Sequence, residues 1–217
     1  MEEQLSLLLR PAAFGRNSKD ISLRIIALGA STGGVEALQT VLAGLPAHCP
    51  PTLVVQHMKP DFLPRFPARL AEGCKARVVS AEDGMVLQSG HIYVAAHLDC
   101  HLTVELRRQP VCRILPGPPV SGHRPSVDQL FQSLAEIGSR VSAALLTGMG
   151  RDGAAGLLAI RKAGGMTIAQ NEATCVVYGM PRVAVEMGAA IYELALPRIA
   201  ALLLNSHSRP RTGTSAL

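Results

Sequence analysis

Six short aliphatic runs punctuate this chain, at 24–29, 52–56, 76–80, 141–147, 165–169 and 190–194. Helical periodicities fill most of the gaps, at about 34–44, 61–72, 126–138, 153–163 and 179–187. An unbroken apolar run makes a strand buried on both faces, and parallel strands need a long crossover, usually a helix. The pattern therefore predicts an α/β fold with a doubly wound, mostly parallel sheet flanked by helices. The stretch 84–115 breaks the rhythm: its strand-like pieces (91–95, 101–106, 111–115) come with turn residues and no helix, which predicts an inserted antiparallel hairpin. A helix over 196–204 closes the folded unit, expected at 23–204. Residues 1–22 read as a flexible arm and 205–217, rich in Ser, Arg, Pro, Gly and Thr, as a disordered tail.

At 217 residues, with 48% hydrophobic and 17% charged side chains, the chain can bury a sizeable core. Aromatic residues make up only 3%, which argues against base-stacking platforms, and the Arg residues are dispersed apart from Arg107-Arg108 and the tail, so no nucleic-acid face is expected. The formal charge of +5 suits either an acidic protein partner or plain solubility. Five cysteines, odd in number and without a C-x-x-C pair, fit a reducing compartment and offer no metal-site spacing. The start, Glu2-Glu3 with a short apolar run at Leu7-Leu8-Leu9, lacks the pattern of a signal peptide, and no segment reads as a membrane span. A cytoplasmic protein without membrane insertion is expected.

Ligands of such sheets bind beyond the carboxyl ends of the strands. The first strand ends in Gly29-Ala30-Ser31-Thr32-Gly33, which has the spacing of a nucleophile elbow; the second ends at Gln56-His57; the run 141–147 leads into Gly148-Met149-Gly150-Arg151-Asp152-Gly153. A serine, a histidine and an aspartate thus reach one edge, the set needed for nucleophile, proton acceptor and imidazole orienter. Each has a plainer alternative: Ser31 as a helix N-cap, His57 as a solvated loop histidine, Asp152 as the cap of the helix starting near Gly153. His97, His101 and His123 are rival histidines, the first two lying in the hairpin region.

Five motifs in register, Gly29-Ala30-Ser31-Thr32-Gly33-Gly34, Gln56-His57-Met58, Gly122-His123-Arg124-Pro125-Ser126-Val127-Asp128, Thr147-Gly148-Met149-Gly150-Arg151-Asp152-Gly153-Ala154 and Tyr178-Gly179-Met180-Pro181, resemble the catalytic domain of chemotaxis protein-glutamate methylesterases. The resemblance spans about residues 24–204. It implies hydrolysis of glutamate γ-methyl esters on the cytoplasmic helical bundle of chemoreceptors, often with deamidation of particular receptor glutamines. It also implies Ser31 as nucleophile, His57 as general base and then acid, and Asp152 as orienter. Met149 would direct a backbone N–H to the oxyanion, with Thr32 a second donor or polar contact. No metal and no organic cofactor is implied. The chain order Ser, His, Asp differs from the Ser, Asp, His order of α/β-hydrolases.

The chain departs from the family pattern at two places. Family members commonly carry a regulatory receiver domain, for which 1–22 is too short; such a domain is expected either in cis in a longer protein or in trans. At Ala95-Ala96-His97-Leu98-Asp99-Cys100-His101, Ala96-His97 replaces the usual Pro-Gly turn. Two other classes compete with the esterase: a non-catalytic binding module of the same fold, and a nucleotide-binding Rossmann-like module using Gly29 to Gly34 as a phosphate cradle. The second is weakened because Ala30-Ser31 spoils G-x-G-x-x-G and no Gly-Lys-Ser/Thr follows.

Overall fold

Each of the central strands is apolar on both faces because each is covered on both. A computed structural model gives the architecture of residues 23–205; the arm expected at 1–22 and the tail from 206 onward lie outside the described residues. The main strands are β1 (Ile25–Ala30), β2 (Thr52–Gln56), β3 (Arg77–Ser80), β4 (His91–Val94), β7 (Val141–Leu145), β8 (Met166–Gln170) and β9 (Tyr192–Leu194), while β5 (Cys100–Leu106) and β6 (Pro110–Pro116) form a separate hairpin. The seven main strands pair side by side in the order β3-β4-β2-β1-β7-β8-β9, all parallel.

Among the described residues six α-helices cover the sheet: α1 (Gly34–Ala43), α2 (Phe66–Ala71), α3 (Val127–Ala135), α4 (Ala154–Lys162), α5 (Met180–Glu186) and α6 (Leu196–Asn205). Alternate residues of β1 serve two different cores. Ile25 and Ala27 pack with Phe131 of α3, Leu157 of α4 and Leu102 of the hairpin. Ile26, Leu28 and Ala30 pack with Leu38 of α1, Leu70 of α2 and Leu203 of α6. This is the doubly wound arrangement expected, and the strand order reverses direction at β1 and β7, the place where such sheets open a crevice.

One expectation needs correction. The pattern groups the run 91–95 with the inserted hairpin, but Ile92, Tyr93 and Val94 are buried in the main sheet, where β4 pairs in parallel with β2 and β3. The hairpin is β5 and β6 alone. The connection from β3 to β4 contains no helix, so the usual mark of a parallel crossover is missing from the sequence. Residues 84–87 instead run along β6, with Cys112 N–H donating to Met85 O at 2.8 Å and Leu87 N–H to Pro110 O at 3.0 Å. The helix expected at 61–72 also divides, into a 3-10 turn (Pro60–Arg65) and the short α2, in a stretch where Pro60, Pro64 and Pro67 have no N–H to donate. Among the described residues no helix is long and apolar enough to cross a membrane.

Candidate active site

The parallel register of β1 and β2 ends with Ala30 opposite Gln56, and one further bond, His57 N–H to Ala30 O at 2.9 Å, carries the pairing past the strand ends. Ser31 and His57 therefore leave the sheet side by side. On its other flank Ser31 N–H donates to Thr147 O at 3.0 Å, tying the turn to the end of β7. The Gln56 amide joins the two residues directly: Nε2 donates to Ser31 O at 2.7 Å and to His57 O at 2.8 Å. Thr147 does similar work opposite, its hydroxyl donating to Thr32 O at 3.0 Å and accepting Val177 N–H at 2.9 Å.

The turn after Ser31 leads straight into α1. The cap of α1 is Gly33, at φ 75°, with no side-chain cap bond, so the N-cap alternative for Ser31 is not what the structure contains. Gly148 explains why small residues crowd here, since a Cβ at that position would lie 2.6 Å from Ser31 Cβ.

Asp152 is fully buried and its carboxylate is saturated. Oδ1 accepts the Ser126 hydroxyl at 2.8 Å and Asp128 N–H at 3.0 Å; Oδ2 accepts Val127 N–H at 2.7 Å and His57 Nε2 at 2.8 Å. The carboxylate thus sits at the N-terminus of α3, where free amides and the helix dipole favour negative charge. It does not cap α4, whose cap Gly153 has no side-chain bond. Burial pushes the Asp152 carboxyl up, but the His57 imidazole and the Val127 and Asp128 amides outweigh it and hold the group below its ordinary value.

With Nε2 committed to Asp152, the other ring nitrogen of His57, Nδ1, is buried and has no hydrogen-bond partner. A neutral imidazole in that state presents an in-plane lone pair ready to take a proton. A serine on a tight turn, an imidazole at the adjoining strand end and a buried carboxylate bonded to that ring are thus gathered at one edge of the sheet.

Of the residues singled out from sequence, His57 and Asp152 are in direct contact, and Ser31 occupies the adjoining strand end. Thr32 is exposed in the turn before α1, and Met149 is 66% exposed next to Gly148, on the far side of Ser31. The rival histidines separate. His97 Nε2 donates to Ala81 O at 2.8 Å, away from the site. His101 is buried and bridges Pro118 O (3.0 Å) and Ser126 N–H (3.1 Å), which makes it a brace for the segment that holds Asp152. His123 reaches the site itself, its ring stacked on His57. A cleft of about 350 Å³ opens beside it, lined by Pro60, Leu63, Leu98, Asp99, Gly122 and Arg124 among others.

Sequence reasoning gives no role to Gln56 or Ser126 and weighs His123 only as a rival to His57, not as its neighbour. The signal available for all three was position: each lies within, or next to, a segment that already contained a flagged residue or motif.

Comparisons with known proteins bear on the fold and the family. Residues 26–203 match the family model described as CheB methylesterase. A protein-glutamate methylesterase/protein-glutamine glutaminase of Agrobacterium fabrum is 51% identical over 191 residues, covering 88% of this chain and 54% of that protein. One of the same name, numbered 2, from Pseudomonas aeruginosa is 54% identical over 192 residues, covering 88% and 55%. The Thermotoga maritima CheB methylesterase catalytic domain, a crystal structure, superposes with a TM-score of 0.82 at 36% identity over 85% of this chain and 99% of that one. This chain spans about half the length of the curated relatives it matches. On fold, on the extent of the match and on identity to its relatives, the chain belongs to the CheB methylesterase family.

Proposed function

We propose that this chain hydrolyses glutamate γ-methyl esters on the cytoplasmic helical bundle of chemoreceptors, releasing methanol, in the adaptation of a chemosensory system. The observation that carries the reading is the buried Asp152–His57 pair at 2.8 Å, with Nδ1 of His57 unpartnered at the strand end next to Ser31. The names of the relatives supply the reaction, on protein glutamates and also on protein glutamines, while the receptor as substrate is what the family resemblance implies.

In the first half-reaction Ser31 Oγ attacks the ester carbonyl as its proton passes to His57 Nδ1. The tetrahedral oxyanion is met by backbone N–H groups, those of Met149 and Thr32 being the candidates; a single such donor is typically worth about 2.7–4 kcal/mol. Collapse expels methoxide, which takes the proton from His57 and leaves as methanol. Water then attacks the glutamyl-Ser31 ester, giving its proton to His57, and collapse returns that proton to Ser31 Oγ with release of glutamate. Asp152 stays ionised throughout, holding the ring and stabilising the transient imidazolium. The chain's own residues supply every proton transfer in this cycle.

The setting that follows is cytoplasmic, with a receiver domain, in cis or in trans, as regulatory partner. The test is release of labelled methanol from a methyl-esterified receptor cytoplasmic fragment, wild type beside Ser31→Ala. Release by wild type alone supports both reaction and nucleophile; cleavage of a generic ester through Ser31 without methanol release would leave the chemistry and remove the receptor substrate.

A further inference from the structure

The mechanism uses the two nitrogens at the edge of the His57 ring and leaves its faces unexplained. One face is covered by His123, with ring centroids 3.7 Å apart and planes 7° from parallel. We propose that His123 is a positioning residue for the reaction, its ring a back-plate that fixes the plane of the His57 imidazole; the inference rests on the esterase reading above.

Two constraints are needed to aim an imidazole. The bond from Nε2 to Asp152 fixes one point on the ring but leaves it free to roll about that axis. A parallel ring in contact with the face removes the roll, so the Nδ1 lone pair is held on one line. Misplacing a reacting group by 1 Å typically costs about 10²-fold in rate, so a rolling ring is a slow base.

His123 is itself rigidly mounted. Val120 and His123 exchange both backbone bonds, at 3.0 and 2.9 Å, around Ser121 and Gly122 at φ 52° and 79°. Two consecutive left-handed residues closed in this way make a type I′ turn, a stiff two-residue connection. The next residue, Arg124, donates to Gly117 O at 2.8 Å and pairs with Asp99. Two positions later Ser126 bonds Asp152. One short segment therefore sets both the plane of His57 and the carboxylate at its edge.

The geometry also says what His123 does not do. Nitrogen lone pairs and N–H bonds lie in the ring plane, so rings stacked face to face cannot pass a proton between them. Burial, helped by neighbouring His57 and opposed by Asp152, pushes His123 down from its ordinary value. That direction favours the uncharged form of His123, whose flat face then lies against the His57 ring.

The test compares His123→Ala and His123→Phe for kcat and KM on the methylated receptor fragment, and for the rate of Ser31 labelling by a fluorophosphonate. His123→Ala is expected to lower kcat and the labelling rate about tenfold or more, with KM within about twofold, because the defect lies in the base and not in substrate binding. His123→Phe, which keeps a flat ring and no nitrogen, is expected to restore both rates to within about threefold of wild type. Wild-type rates in His123→Ala, or a His123→Phe as slow as His123→Ala, overturn the proposal. Should His123→Ala fail to fold, His123→Leu takes its place, and wild-type rates in that variant overturn it equally. The labelling arm separates this inference from the substrate assignment: a wild type that labels at Ser31 without releasing methanol removes the receptor reading, and the labelling rates of the variants still decide the role of His123.

Discussion

Asp152 and Asp128 cap each other's helices. Asp152, just before α4, accepts Val127 and Asp128 N–H at the start of α3, while Asp128, in the first turn of α3, accepts Gly156 N–H of α4 at 2.7 Å. The exchange locks the two helices at their N-termini beside the site, and it forces two carboxyls into one buried space with opposite outcomes. Asp152 is held low, as described, while burial and the neighbouring Asp152 push Asp128 up.

The pair predicts opposite pH dependences of stability. A carboxyl raised on folding contributes best while protonated, and loses its contribution as pH climbs past the unfolded value, about 3.9 for Asp. Asp128→Asn keeps an acceptor for Gly156 and avoids the buried charge, so its Tm should exceed wild type near pH 7 and converge on it near pH 4. Asp152 is depressed on folding, and its contribution is present above the unfolded value and fades as pH falls through the folded one. Asp152→Asn should therefore be less stable than wild type at pH 7, with the gap closing in acid. Thermal melts from pH 3 to 7 check both signs, and parallel slopes for the two variants would contradict the assignment.

Ser31→Ala should abolish ester turnover, by about 10⁴-fold or more in kcat, with Tm essentially unchanged. The side chain makes no contact on which the described fold depends: Gly33 caps α1, and the Ser31 bonds to Thr147 and Gln56 come from its backbone. Full activity in this variant rules out Ser31 as the proposed nucleophile.

Gln56→Met should reduce both stability and rate. It leaves His57 O and Ser31 O without the amide donor they share, a loss of about 1–3 kcal/mol for a buried acceptor left unmet. Ser31 O keeps its bond from Gly34 N–H at 2.8 Å, so the larger effect is on the backbone of His57. A drop in kcat of about tenfold at unchanged KM would be the mark of a base out of register. Steady-state kinetics beside a chemical melt separate the two effects.

Gly148→Ala tests crowding behind Ser31. The added Cβ would lie 2.5 Å from Met180 Sδ, which can move, and 2.6 Å from Ser31 Cβ, which is pinned through its backbone on both sides. Ser31 must shift, and kcat should fall by about tenfold or more while the fold survives. Unaltered kinetics would show that the turn yields more easily than its hydrogen bonds indicate.

What the sequence made legible was local or periodic. Short apolar runs alternating with helices announced a parallel sheet, and the rule that ligands gather at strand ends was enough to pick out Ser31, His57 and Asp152 together. What stayed hidden was set by contacts between distant segments. Nothing near Asp152 indicates that its carboxylate turns away from α4 and into α3, because that depends on how two helices pack. His123 sits in a motif that was noticed, yet a ring stacked across 66 residues of sequence has no periodic trace. β4 was misplaced for a related reason: a parallel crossover built from irregular chain looks like a hairpin until its pairing partner is known.

His57 and Asp152 stand 95 positions apart in the chain, which makes their pair a property of the assembled sheet. In chain order β1 and β2 precede β7 and the loop carrying Asp152. A chain cut short after β2 therefore holds Ser31 and His57 without the carboxylate that bonds the imidazole. That bond needs both β7 beside β1 and the open end of α3 around the carboxylate, so it belongs to the whole fold and to no fragment of it.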